Sequence, residues 1–178
     1  ACRGPASLAS QQFDGRQALR WVEHQVAAGP RIPNTPAARA VGDWLVAELR
    51  ARADTVEVQE WTHVTQAGDT LHLRNVIARF RPAEANRVLY VSHWDSRPHA
   101  DQDPDPAKRR LPVPGADDGA SSTAVLLGVA DALKHSPPSV GVDLVFVDGE
   151  DYGDFGVDKD VFIGTRYFVK NLAPMTAM

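Results

Sequence analysis

Apolar residues recur at helical spacing twice in the first third of the chain. Residues 14 to 29, DGRQALRWVEHQVAAG, carry Ala18, Leu19, Val22 and Val26 on one side of a helical projection. Residues 34 to 53 repeat the pattern with Val41, Trp44, Leu45 and Leu49. Both segments predict amphipathic helices. The link PRIPNTP between them offers Asn34 or Thr35 as a helix cap and Pro36 for the first turn, where the missing N–H has no helical partner to lose.

After Ala53 the period changes from that of a helix to that of a strand. DTVEVQEWTHVT alternates apolar and polar residues, and DTLHLRNVIARF follows after the turn signal Ala67-Gly68, which together predict a hairpin. RVLYVSHWDS (87 to 96) and GVDLVFVDGED (141 to 151) have the near-continuous apolar runs expected of strands covered on both faces. A helix from about Ala120 to Lys134 lies between them. Strand, helix and strand form one βαβ unit, and a short helix follows near 164 to 172. There is no internal repeat and no low-complexity tract.

Polar residues interrupt this pattern where chemistry is expected in an open α/β sheet, at the carboxyl ends of the strands. His93 and Asp95 close the first buried strand, Asp117 and Asp118 open the helix after it, and Asp148, Glu150 and Asp151 close the second. Taken singly, each has an ordinary explanation. An aspartate caps a helix, Asp95 pairs with Arg97, a strand-end histidine is half-buried, and Glu150 and Asp151 are loop acids. Taken together, six carboxylates beside one imidazole at adjacent strand ends would repel one another without a cation. Oxygen and nitrogen donors in this number suit zinc, with one carboxylate left over as a general base. Glycines at 115 and 119 flank the paired aspartates and allow one to cap while the other points elsewhere.

Composition narrows the choice. The chain has 178 residues, 43% hydrophobic and 24% charged, enough for one globular domain with a core. A net charge of -4 leaves no basic footprint for nucleic acid, and the cluster Lys108-Arg109-Arg110 follows the acidic run Asp101, Asp103, Asp105 in a solvated loop. No apolar run approaches the length of a membrane span. The single cysteine, Cys2, excludes an internal disulfide and a cysteine-based zinc site. Ala1-Cys2 followed by RGPASLASQQ reads as the stub of a bacterial lipoprotein signal cut at its cysteine, which implies an extracytoplasmic, lipid-anchored protein, or equally as a cloning boundary. DQDPDP has the spacing of a calcium loop, but Pro106 and Pro112 stand where glycine and glutamate are required. GASST (119 to 123) lacks the second glycine of a serine-hydrolase elbow. His24, His63, His72, His99 and His135 have no evident partners.

The motifs SHWDSRP, PGADDGAS and VDGED, in that order, resemble the M28 family of zinc aminopeptidases and, within it, the animal-type glutaminyl-peptide cyclotransferases and their bacterial relatives. The resemblance runs from GPRIPNTPAARAVGDWLVAELR to FIGTRYF. It implies an α/β fold with a mixed, largely parallel central sheet flanked by helices. It also implies that Asp118 is a zinc ligand joined to Gly119 by a cis peptide, that Asp117 stays with the helix end, and that Asp151 is the next ligand. Glu150 matches the general acid/base, His93 the histidine that binds a second zinc where there is one, and Asp95 the acid that orients it. The cofactor is then one zinc for a cyclase and two for an aminopeptidase, and the substrate is the N-terminus of a peptide or protein. The length of the segment from Glu150 to Gly164 favours the cyclase. Asp151 stands where many members have glutamate, and the cyclases' loop tryptophan has no counterpart in YGDFGVDKDVFIG. A third expectation, a non-catalytic binding domain on the same fold, is disfavoured because His93, Asp118, Glu150 and Asp151 are all present.

The family completes its site with a further acidic residue and a histidine, neither of which follows here. The expected organisation is therefore a flexible tail over 1–12 and, over 13–178, the N-terminal portion of one catalytic domain. Ligand counting then predicts weak zinc binding by these residues alone, and exposed apolar surface where further strands would pair.

Overall fold

Asp14 opens the first helix by accepting the backbone N–H of Gln17 at 3.0 Å, and the computed structural model describes the chain from there, over residues 13–172. The tail expected over 1–12 and the lipid anchor expected at Cys2 lie outside the described residues. Helix α1 spans Gly15–Ala27 and α2 spans Pro36–Arg50, the latter capped by Thr35, whose hydroxyl accepts from the N–H of Ala38 at 3.1 Å. The buried stripe of α1 is Ala18, Trp21 and Gln25, with Val22 packed beside it, and Leu19 faces solvent. Expecting Leu19 in the core was wrong because Trp21 fixes the stripe three residues after Ala18, which turns position 19 outward. In α2 the expected Val41, Leu45 and Leu49 are buried and Trp44 is half-buried.

Strands β1 (Thr55–Val64) and β2 (Thr70–Phe80) form the expected antiparallel hairpin, from Thr55 opposite Arg79 to Val64 opposite Thr70. The second half of β2 also pairs with β4 (Gly141–Val147), antiparallel, with Val76 opposite Phe146. Val76, Ile77 and Ala78 in that half are apolar and buried on both faces, whereas the first half alternates. Strand β3 (Arg87–His93) lies parallel to β4, and α3 (Ser122–His135) connects them as the crossover of the βαβ unit. The sheet order is β1-β2-β4-β3, a mixed, open sheet with one parallel and two antiparallel pairings among the described residues.

Helices cover both faces. Side chains from α1, α2 and α3 meet Val76, Ala78, Phe80, Val142, Leu144 and Phe146 in the main core. On the other face Phe168 of α4 (Ile163–Lys170) packs on Ile77, Val145 and Val147. Fully buried leucines such as Leu45, Leu49, Leu127 and Leu144 each contribute about 1.5–3 kcal/mol relative to exposure.

Strand β3 departs from expectation. Its sequence predicts coverage on both faces, yet Val88, Leu89, Tyr90 and Val91 are between 42% and 50% exposed. The reason is position, for β3 is the sheet edge, and only β4 pairs with it among the described residues. Exposed apolar surface lies along this edge, where the sequence led us to expect further strands to pair. No helix among the described residues is long and apolar enough to cross a membrane.

Candidate metal centre

Trp94 fixes the end of β3. It is buried in the main core, and its N–H continues the ladder to the carbonyl of Val147 at 3.1 Å, so its neighbours His93 and Asp95 are held at the carboxyl edge of the sheet. The chain returns to that edge through a wide turn, Ala116–Ser121, ahead of α3. Asp118 interrupts the helical path there with φ -98° and ψ 105°, and its peptide bond to Gly119 is cis, as the family resemblance implies. A Cβ on Gly119 would stand 2.6 Å from the carbonyl oxygen of His93 and 2.7 Å from its ring, so only glycine lets the turn lie against the histidine.

The two aspartates that open α3 have separate fates. Asp117 makes no side-chain cap to the helix backbone, against expectation, because the break at Asp118 moves the helix start to Ser122. It keeps to the helix end through Ser121, whose hydroxyl donates to the Asp117 carbonyl at 2.5 Å. Asp118 turns toward β3, with its Oδ1 2.7 Å from Nε2 of His93.

His93 Nδ1 faces Asp95 Oδ1 at 3.3 Å. Asp95 is fully buried and does a second job, since its Oδ1 accepts the N–H of Glu150 and its Oδ2 that of Asp151, each at 3.1 Å. One carboxylate thus sets the imidazole and the turn after β4 together. Arg97, the partner that Asp95 would have in an ordinary loop, pairs instead with Asp101 and donates to the carbonyls of Asp151 and Gly153.

His93, Asp118 and Asp151 each direct one ligand atom to a common point, all within 4.8 Å of one another. Asp118 is 69% exposed while His93 and Asp151 are recessed, so the point is open to solvent on one side. The donor chemistry fits zinc: one imidazole nitrogen and two carboxylate oxygens from rigid strand ends, with a buried acid behind the histidine. Electrostatics agree. Burial pushes the Asp151 carboxyl up to about 6, and the charges of Asp95 and Asp118 add to that. Burial pulls the His93 imidazole down, but the hydrogen bond and charge of Asp95, with Glu150 and Asp151 nearby, outweigh it and raise its pKa to about 9. A proton on His93 thus offsets a carboxylate excess that a cation would offset as well.

Glu150 stands outside the ligand trio. Burial raises its pKa; His93 opposes the shift, and Asp95 and Asp118 add to it. A half-buried carboxyl with a raised pKa beside a metal position suits proton transfer. Asp148 belongs to another environment. Its Oδ2 accepts the N–H of Arg74 at 3.0 Å, and burial, reinforced by Asp95, raises its pKa well above the usual range. It lines a cleft of about 950 Å³ with Trp61, Arg74 and Trp94, which contains none of the three ligand residues.

The remaining candidates stay apart. Asp103 and Asp105 accept backbone N–H groups of their own loop, from Asp105 and Ala107. His63 pairs with Asp160 at 2.7 Å, His24 packs on Trp44, and His135 bonds the carbonyl of Asp131.

Arg31 was missed in the sequence. It is fully buried, and its guanidinium donates from Nε to the carbonyl of Trp94 at 2.9 Å, from Nη1 to that of Pro114 at 3.0 Å and from Nη2 to that of Gly115 at 2.6 Å. Burial lowers its pKa, and the charges of Asp95 and Asp118 work the other way. The only signal for it is a lone basic residue among Pro30, Ile32 and Pro33.

Comparison with known proteins gives the family and the fold. Residues 75–177 match the sequence model of peptidase family M28. The structure is similar to a Zn-dependent exopeptidase from Parabacteroides distasonis, at 42% identity and a TM-score of 0.88, over 93% of this chain and 59% of that one. It is similar to the glutaminyl cyclase of Porphyromonas gingivalis at 42% identity and a TM-score of 0.86, over 90% of this chain and 56% of that one. The glutaminyl-peptide cyclotransferase of Bos taurus is 27% identical over 157 residues, 80% of this chain and 41% of that protein. The chain spans 26% of the length of its curated Pyrenophora relatives.

Proposed function

The chain belongs to peptidase family M28, a family of zinc metallopeptidases, and we propose that it forms the N-terminal portion of a zinc-dependent glutaminyl-peptide cyclotransferase. The reaction is closure of an N-terminal glutamine to pyroglutamate with release of ammonia. The observation that carries this reading is the convergence of His93, Asp118 and Asp151 on one point, the only such group among the described residues, beside a free glutamate. One metal position suits the cyclase, with His93, which the resemblance gives to a second zinc, here completing that position beside Asp118 and Asp151; the likeness to solved glutaminyl cyclases supports the same choice.

Zinc held by these residues would polarise the γ-carboxamide carbonyl of the substrate glutamine. The α-amine nitrogen bonds to the carboxamide carbon, and the bond from that carbon to the amide nitrogen breaks. Glu150 takes the proton that the amine loses and gives it to the departing nitrogen, which leaves as ammonia. Its raised pKa brings it closer to the working pH, where one group can both accept and donate. Asp95 keeps the step in register by bonding His93 on one side and the backbone of Glu150 and Asp151 on the other.

A second reading is a zinc aminopeptidase, favoured by the equal likeness to the Parabacteroides exopeptidase. Glu150 would then take a proton from the attacking water. A paired assay on the full-length protein separates the two. Ammonia from a glutamine-initiated peptide supports the cyclase, and free leucine from a leucine-initiated peptide supports the aminopeptidase.

A further inference from the structure

Arg31 ties its own link to two other pieces of chain, beside the metal centre. Its Nε holds the carbonyl of Trp94, between His93 and Asp95; its two terminal nitrogens hold the carbonyls of Pro114 and Gly115, just ahead of Asp118. Its own backbone is fixed to the same place, since its N–H donates to Ser96 Oγ at 2.9 Å and its carbonyl accepts the N–H of Ser96 at 3.3 Å. The acceptors of the guanidinium are three carbonyls and no carboxylate among the described residues.

A buried arginine costs desolvation, which the nearby charges of Asp95 and Asp118 and well-formed hydrogen bonds offset together. Here those bonds fall on both sides of one gap. The β3 end carries the imidazole, the turn before α3 carries the Asp118 carboxylate, and the guanidinium plane spans them from behind. Its rigid fork suits two adjacent carbonyls in a way that a lysine ammonium cannot match. The packing is close on the loop side as well. Gly115 has φ 65°, and a Cβ there would stand 2.6 Å from Nη2 of Arg31 and 2.8 Å from the Cβ of Ser96.

We infer that Arg31 is a positioning residue that sets the separation of His93 and Asp118, and through it the affinity of the site for zinc. The inference rests on the metal reading given above. It assigns the PRIPNTP link a role in the site rather than in the joining of two helices alone.

The test is zinc affinity in the full-length protein, measured by competition with a chromophoric chelator, together with the Tm of each metal-free variant. Arg31→Met removes the fork, and Arg31→Lys keeps the charge without the geometry. Leu49→Ala, deep in the main core and away from the site, serves as the destabilised control. Both Arg31 variants are expected to weaken zinc binding by about ten- to a hundred-fold, the range typical of outer-shell partners. Leu49→Ala is expected to lower Tm and leave the affinity as in the wild type. Should neither Arg31 variant fold, Ser96→Ala removes the hydroxyl that anchors the Arg31 backbone and is expected to shift zinc affinity in the same direction by a smaller factor. Wild-type affinity in folded Arg31 variants, or in Ser96→Ala where it must stand in for them, overturns the inference, as does an equal loss in Leu49→Ala. Wild-type protein that binds no zinc overturns the metal reading itself, so the two failures are distinct.

Discussion

His93 Nε2 and Asp118 Oδ1 face each other at 2.7 Å across the gap between the end of β3 and the turn before α3. Asp118 is largely exposed, so the contact is a hydrogen bond with the His93 imidazole, whose proton stands where a cation would serve as well. If the gap is a metal position, zinc at a hundred-fold excess over its Kd should stabilise the full-length protein by about 2.7 kcal/mol, and a chelator should remove that gain. Asp118→Asn should weaken zinc binding by more than about a hundred-fold, beyond the range of outer-shell changes. Its Tm should then respond to neither zinc nor chelator in a thermal melt. A zinc-dependent rise in Tm equal to that of the wild type would remove Asp118 from the ligand set.

Glu150 and Asp151 are adjacent, yet only Asp151 belongs to the ligand trio. Glu150→Gln should therefore retain zinc and lower turnover by about 10²–10⁴-fold, because the amide cannot carry the proton. Asp151→Asn should lose zinc. Metal content and rate, measured on both variants, would show the assignment reversed if Glu150→Gln released the metal and Asp151→Asn kept it.

Asp95 has both carboxylate oxygens occupied by backbone N–H groups of the turn after β4. Asparagine retains one acceptor and turns an NH₂ group toward a backbone donor, which leaves a buried N–H unsatisfied. Asp95→Asn should cost about 1–3 kcal/mol in urea unfolding of the metal-free protein. It should also weaken zinc binding by about ten- to a hundred-fold by loosening His93. Unchanged stability would mean that the turn after β4 does not depend on this carboxylate.

The elements themselves were legible because each rests on a local signal. Helical spacing marks α1 and α2, Thr35 and Pro36 mark a helix start, and Ala67-Gly68 marks the hairpin turn. The trio was legible because strand ends and a helix start place His93, Asp118 and Asp151 at one sheet edge. What escaped depends on distant partners. Leu19 looks like core until Trp21 sets the stripe of α1, and β3 reads as covered although it is an edge. Arg31 escaped for the same reason, for its acceptors lie 63 to 84 residues away and carbonyls leave no mark in the sequence. The second duty of Asp95 is equally hidden, since its two N–H donors stand 55 and 56 residues later.

Anomalous diffraction at the zinc edge, on crystals of the full-length protein grown with zinc, tests the central claim most directly. One peak is expected in the space bounded by His93, Asp118 and Asp151, with carboxylate oxygens at about 2.0–2.2 Å. Two peaks about 3.5–4 Å apart would contradict the single-metal reading, and the absence of any peak there would contradict the metal centre itself.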